Sequence, residues 1–114
     1  MESNIKAKLS EGKMQFEFRL PDKKEIDPEK DFDPLLNFID DSRTKKQSFE
    51  IKLNIQLSNY RMTKKLLEIV EGLEGIYLSG LALKVIWLCK NQNSEKYAND
   101  ILFGLRIPHE VVKI

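Results

Sequence analysis

Residues 49–73 decide the fold, and they read FEIKLNIQLSNYRMTKKLLEIVEGL. Apolar and polar side chains alternate over 49–57, which predicts a β-strand with one buried face. From Met62 onward the apolar residues recur at helical spacing, at positions 62, 66, 69, 70 and 73. A polar turn, residues 58–63, joins the two patterns. The stretch therefore predicts a strand, a short turn and an amphipathic helix.

The composition is that of an ordinary globular chain with a well-solvated surface. Its 114 residues are 41% hydrophobic and 32% charged, which suits a single domain over residues 1–114. The 19 basic and 18 acidic residues nearly cancel, so no broad field favours nucleic acid or an anionic membrane. The single cysteine, Cys89, excludes an intrachain disulfide, and no apolar run is long enough to span a bilayer. We therefore expect a cytoplasmic protein.

The chain before this stretch predicts a hairpin and a helix. Apolar residues alternate with polar ones over 5–9 and again over 14–20, on either side of a turn that contains Gly12. This pattern is typical of a β-hairpin with one apolar face. Further on, Asp33 is predicted to cap a helix that has Pro34 in its first turn.

The chain after this stretch predicts two more strands and a helix. Gly75 is the expected left-handed cap of the preceding helix. The nearly continuous apolar run 81–89 predicts a strand covered on most of both faces, parallel to the strand at 49–57 through a right-handed crossover. Ser94 is predicted to cap a short helix that closes at Gly104, and residues 109–114 form the last strand.

The predicted fold class is α/β (α+β), with the element order β-β-α-β-α-β-α-β. A mixed sheet of about five strands would carry helices mainly on one face, in a two-layer arrangement. The hairpin and the strand at 49–57 each have a polar face, which argues against helices on both sides of the sheet.

The residues that commonly carry enzymatic chemistry are few and scattered. His109 is the only histidine, and no cluster of cysteine, histidine and carboxylate accompanies it. Cys89 ends an apolar strand, where a cysteine usually serves as a small buried side chain. No phosphate-binding glycine loop is present. The sequence therefore predicts no catalytic residues, no metal and no cofactor.

The turn at 58–63 has the character of a regulatory site. Ser58, Tyr60 and Thr63 carry hydroxyl groups in the turn or in the first helical residues. A phosphate there would meet unpaired backbone N–H groups and the positive end of the helix dipole, while adding a charge of about −1.5 to −2. The alternative, that Ser58 and Asn59 only begin a helix, stays open.

Three segments carry a resemblance to a known family. The first contains Pro28 and Glu29 before the helix DPLLNFID. The second is the strand, turn and helix at 49–74, and the third is the strand LKVIW, which ends at Trp87. Together they resemble the SiaC-type regulatory phosphoproteins, bacterial domains with a STAS-like fold. The resemblance covers roughly residues 22 to 114 and implies a single STAS-like regulatory domain.

The resemblance implies a non-enzymatic partner switch. In that family a kinase phosphorylates a threonine after the turn asparagine, a PP2C-type phosphatase reverses this, and the unmodified form binds and activates a diguanylate cyclase. Asn59 matches the asparagine, but Tyr60 stands where the family has the phosphorylated threonine. Either Ser58 or Thr63 takes the phosphate instead, or this chain is a constitutive binder.

The expected partner surface combines the turn with the exposed face of the following helix, especially Lys64 and Lys65. One alternative is a structural homo-oligomer or constitutive adaptor without phosphorylation, paired through exposed apolar residues such as Leu78, Ile86 or Leu88. A small enzyme is a further alternative, which would need converging polar groups in a pocket.

Overall fold

The computed structural model describes residues 5–10, 13–19, 27, 30–55 and 60–114. The described residues form five strands and three helices in the predicted order. Their bounds are β1 Ile5–Ser10, β2 Lys13–Arg19, α1 Asp33–Thr44, β3 Phe49–Asn54, α2 Tyr60–Leu78, β4 Leu83–Cys89, α3 Gln92–Leu102 and β5 His109–Lys113. Among these helices, none is both long enough and apolar enough to cross a membrane.

The strands form one mixed sheet, and their spatial order is their order in the chain. β1 and β2 pair antiparallel, which confirms the predicted hairpin. β2, β3, β4 and β5 then pair in parallel, each with the next. Because every parallel connection advances one strand in the same direction, right-handed crossovers place all three helices on one face.

The core lies between that face and the helices. Burial alternates along β3, where Phe49, Ile51 and Leu53 are buried and the residues between them are half-buried. The register extends this pattern across the sheet, since Leu53 lies between Phe18 of β2 and Trp87 of β4. The fold class predicted from the sequence is therefore confirmed.

α1 packs on the sheet through aromatic side chains. The ring of Phe38 stacks on Phe16 at 4.1 Å and meets Phe49 edge-on at 5.7 Å, measured between ring centroids. The cap predicted at Asp33 is wrong, because the N-cap position belongs to Phe32 and carries no side-chain cap. Phe32 is fully buried beside Phe18, so packing and not capping fixes the start of this helix.

α2 is longer than the sequence predicts. Gly75 was expected to end it in a left-handed conformation, but the helix continues to Leu78. The left-handed glycine is Gly80, with φ of 112°. The apolar residues Ile76 and Tyr77 pack against the core, and this burial carries the helix past two glycines.

The start of α3 also differs from the prediction. Asn91, not Ser94, is the N-cap, and its side chain accepts a hydrogen bond from the Ser94 backbone N–H at 2.9 Å. The Ser94 hydroxyl accepts from the Asn91 backbone N–H at 3.2 Å, which completes a capping box. Gly104 follows the helix with φ of 75°, as its predicted closing role requires.

Candidate functional site

Several of the predicted site residues lie outside the described part of the chain. These are Ser58 and Asn59 of the turn and Pro28 and Glu29 of the first motif. Tyr60 is the first residue of α2. Their functional roles remain predictions, whereas the structure does describe the surroundings of Thr63, Lys64, Lys65 and Trp87.

Thr63 contacts a residue that the sequence did not single out. Its Oγ1 lies 2.8 Å from the hydroxyl oxygen of Tyr97, in α3, and the two hydroxyls share a hydrogen bond. Both side chains are half-buried. Burial raises the pKa of Tyr97 above its ordinary value, although the hydrogen bond with Thr63 acts in the opposite direction. The Tyr97 phenol is therefore neutral at physiological pH.

Trp87, in β4, contacts the same region from the side of the sheet. Its indole N–H donates a buried hydrogen bond of 3.1 Å to the backbone carbonyl of Ile55, just after β3. The Tyr97 ring meets the Trp87 ring edge-on, with centroids 5.9 Å apart. We call Thr63, Tyr97, Trp87 and Ile55 the Thr63 cluster. It joins the start of α2 to α3 and to the carboxyl ends of β3 and β4.

The start of α2 is electropositive. No acidic residue lies in its first turn, and the exposed residues Arg61 and Lys64 flank Thr63. The helix dipole adds to this positive potential. A phosphate on Thr63 would be attracted to these charges, but it would remove the hydroxyl proton that can serve the contact with Tyr97. Phosphorylation at Thr63 would therefore disturb the contact between α2 and α3.

Lys65 lies on a different side of α2, at the mouth of a groove between α1 and α2. The groove has a volume of about 340 Å³. Five of its residues are apolar, four carry charges and one is a glycine. They are Leu36, Ile39, Ile69, Leu73 and Ile76, then Asp40, Arg43, Lys65 and Glu68, and finally Gly72. Lys64, which is exposed, does not line the groove.

Cys89 and His109 lie at opposite ends of the β4–β5 pair. Val85 faces His109 in the register and Cys89 faces Lys113, so about 13 Å of strand separates the two side chains at about 3.3 Å per residue. Cys89 is fully buried, and this burial raises the pKa of its thiol. The exposed His109 has its Nδ1 2.7 Å from the Ile107 carbonyl oxygen. Within the described ranges, no group of three or more acidic, histidine or cysteine residues could hold a metal ion.

Sequence reasoning missed Tyr97 and the α1 wall of the groove. Tyr97 lies in α3, and its contact with Thr63 spans 34 residues of sequence. No local pattern marks such a pair. Leu36 and Ile39 form the α1 wall of the groove, and the sequence does not show that α1 and α2 leave a groove between them.

Comparison with known proteins finds no matching family model and no matching curated protein. Among solved structures, the chain is similar to one chain in the crystal structure of the diguanylate cyclase SiaD in complex with its activator SiaC from Pseudomonas aeruginosa. The TM-score is 0.75, over 96% of this chain and 90% of that chain, at 13% sequence identity. At this identity the likeness shows a shared fold alone.

Proposed function

We propose that this chain is a regulatory module that binds a signalling protein and catalyses nothing itself. The observation that carries the proposal is the fold match over 96% of the chain to one component of a cyclase–activator complex. We assign the chain the activator's role, because its segments at 49–74 and Trp87 resemble the SiaC-type family. The proposed partner is a diguanylate cyclase.

We further propose that phosphorylation within residues 58–63 controls the binding, through a kinase and a PP2C-type phosphatase. The positive potential at the start of α2 supports this, since it would attract a phosphate. Phosphorylation of Thr63 would also change the structure, because it would alter the contact between Thr63 and Tyr97. Ser58 and Tyr60 are the other candidate acceptors.

The test is purification of the tagged chain from its own organism, with intact-mass measurement and phosphosite mapping of the recovered protein. We expect a diguanylate cyclase to co-purify with the unmodified chain, and the phosphorylated chain to be recovered without it. A phosphosite outside residues 58–63, or equal recovery of the cyclase with both forms, would contradict the control mechanism.

A matched pair of variants separates charge from loss of the hydroxyl. Thr63→Glu adds a negative charge at the Thr63 cluster, whereas Thr63→Val removes the hydroxyl and keeps the shape. We expect Thr63→Glu to lose the partner and Thr63→Val to retain it. Tyr60→Glu and Tyr60→Phe form the corresponding pair for Tyr60. If both acidic variants bind like the unmodified chain, Thr63 and Tyr60 do not control the binding, and the same result for Ser58→Glu would make the chain a constitutive adaptor.

The non-enzymatic role has its own test. The chain alone, incubated with GTP, should form no cyclic dinucleotide, and adding it to the co-purified cyclase should raise the rate of product formation. Product formed by the chain alone would assign it the cyclase's role and contradict the proposal.

A further inference from the structure

We propose that Tyr97 shields the hydroxyl of Thr63, so that a kinase modifies Thr63 only after the start of α2 has opened away from α3. This inference rests on the proposed function, because it concerns the regulation of the same site. It adds a closed state, in which Thr63 does not react, and an open state, in which it does. Tyr97 is a positioning residue in this scheme and takes no part in the transfer itself.

The Thr63 hydroxyl is engaged in the closed state. In phosphorylation by ATP, a bond forms between Oγ1 and the γ-phosphorus, the bond from that phosphorus to the bridging oxygen breaks, and a base of the kinase takes the hydroxyl proton. The nucleotide and the base both need open space beside Oγ1. In this chain the Tyr97 hydroxyl oxygen lies 2.8 Å from Oγ1, and Thr63 is half-buried. The Tyr97 phenol therefore has to move away before the transfer takes place.

The Tyr97 ring is held on its other side. It meets the ring of Trp87 edge-on, with the centroids 5.9 Å apart. Trp87 is fully buried, and its indole N–H donates to the carbonyl oxygen of Ile55 at 3.1 Å. Turning the Tyr97 side chain out into solvent would give up its contact with this fixed ring as well as its contact with Thr63.

The opening is a local event at the first turn of α2. Met62 and Leu66, on either side of Thr63, are fully buried and hold this turn against the core. Local opening of a helix end is governed by the contacts that it breaks. One neutral hydrogen bond shifts such an equilibrium by about two- to ten-fold. The contact with Tyr97 therefore lowers the population of the open state by about that factor.

The shield acts on the addition of phosphate and not on its removal. A phosphate on Thr63 adds bulk and negative charge at the place where the Tyr97 hydroxyl lies. The closed contact is then lost, so Tyr97 no longer limits access to the site. Tyr97 should therefore slow the kinase reaction and leave dephosphorylation unchanged.

The first test needs no kinase. Hydrogen exchange of the backbone amides of residues 64–67, followed by mass spectrometry, reports the opening of the first turn of α2. Tyr97→Phe removes the hydroxyl and keeps the ring, and we expect it to speed this exchange by about two- to ten-fold. Tyr77→Phe is the matched control, because Tyr77 is a half-buried tyrosine of α2 that packs against the core elsewhere. Amides of β4 should be unaffected, whereas a general loss of stability would speed them too.

The second test measures phosphorylation directly. Unmodified parent chain, Tyr97→Phe and Tyr77→Phe are each incubated with ATP and a soluble extract of the protein's own organism. Mass spectrometry follows the initial rate at which residue 63 gains phosphate. We expect Tyr97→Phe to gain it about two- to ten-fold faster than the parent chain, and Tyr77→Phe to match the parent.

Two results would overturn the proposal. One is exchange at residues 64–67 that Tyr97→Phe leaves as slow as in the parent chain. The other is a phosphorylation rate at Thr63 that Tyr97→Phe does not raise, including the case in which only Ser58 or Tyr60 is modified. That case would leave the proposed function intact. Conversely, a faster reaction at Thr63 with equal recovery of the cyclase by both forms would support the shield and contradict the proposed control of binding.

Discussion

A change in charge at Thr63 would affect contacts that involve two helices and two strands. Its hydroxyl contacts Tyr97 of α3, whose ring rests against Trp87 of β4. The indole N–H of Trp87 in turn donates a hydrogen bond to the carbonyl oxygen of Ile55, just after β3. A modification of Thr63 therefore acts on contacts that connect both helices to the centre of the sheet.

The hydrogen bond between Thr63 and Tyr97 should be measurable as a coupling energy. Thr63→Val and Tyr97→Phe each remove one hydroxyl and keep most of the packing, and urea unfolding of the single and double variants completes the cycle. We expect a coupling of about 0.5–1.5 kcal/mol, the usual range for a neutral hydrogen bond. Lys64→Ala combined with Tyr97→Phe is the control pair, and additive effects in the Thr63 cycle would show that this bond contributes nothing to stability.

The pH dependence of stability should reflect Cys89 and Tyr97. Burial raises the pKa of each above its ordinary value, which is 9.0 for the thiol and 10.0 for the phenol. The unfolded chain therefore loses these protons first, so it binds fewer protons than the folded chain at alkaline pH. The free energy of unfolding should be insensitive to both groups at neutral pH and should fall above about pH 9.

Urea midpoints measured from neutral pH to about pH 11 check this expectation. Cys89→Ala should remove the part of the fall that begins near the ordinary pKa of a thiol, and Tyr97→Phe the part that begins about one pH unit higher. If the double variant loses stability with pH as steeply as the parent chain, the two groups are not responsible.

The sequence predicts only some of the residues that make up the candidate site. Trp87 and Thr63 were singled out because they stand in recognisable segments, and Lys65 because it follows the turn. Tyr97 was not, since its role depends on two helices that meet only in the folded chain. Sequence periodicity shows which side of a helix is apolar, but it does not show which hydroxyl lies opposite which.

α2 contains two glycines at positions where its backbone conformation would accept any ordinary residue. Gly72 and Gly75 lie in the helix interior, and a Cβ at either would meet no atom within 4 Å. Gly80 differs, because its φ of 112° is one that other residues rarely adopt. Alanine at Gly72 or Gly75 therefore tests helix propensity, whereas alanine at Gly80 tests backbone strain.

Alanine at these glycines should change stability in opposite directions. Gly72→Ala and Gly75→Ala should each raise the free energy of unfolding by about 0.5–1 kcal/mol, because alanine favours the helix. Gly80→Ala should lower it by about 1 kcal/mol or more, because the backbone there is strained for an L-residue. Thermal unfolding followed by circular dichroism measures all three, and a loss of stability at Gly72 would mean that its side of the groove is closed in the free chain.

The elements themselves were easier to predict than their ends. Alternation at β3 and the helical stripe of α2 each reflect one buried face, which is a local property of the sequence. Which residue becomes the helix cap depends on packing and hydrogen bonds that form only in the folded chain. Asn91 and Ser94 are both good cap residues, and only the capping box shows that they act together, with Asn91 first.

At the scale of the whole molecule, the two edges of the sheet are β1 and β5. β5 is mostly exposed, and its charged residues are engaged within the chain, Glu110 with Lys84 at 3.4 Å and Lys113 with Glu95 at 3.7 Å. Charged side chains on an edge strand discourage pairing with another sheet.

The mixed sheet was predictable because strand and helix patterns alternate along the chain, whereas the uncovered groove between α1 and α2 was not.

Removing these edge charges should make the protein self-associate. Glu110→Thr with Lys113→Thr leaves β5 as a run of residues that favour strands, with Val111 and Val112 at its centre. We expect light scattering to report a monomer for the parent chain and larger species for this variant. Lys64→Thr with Glu71→Thr removes the same charges from the exposed face of α2 and should stay monomeric. An unchanged mass for the β5 variant would show that other features protect this edge.

Each strand of the sheet lies beside the strand that was made just before it. During synthesis, each new strand can therefore pair with the exposed edge of the strand before it. No pair of strands that has already formed has to separate to admit a later one. The antiparallel hairpin would serve as the template on which β3 pairs, and the hydrophobic face would be covered progressively as each helix follows its strand.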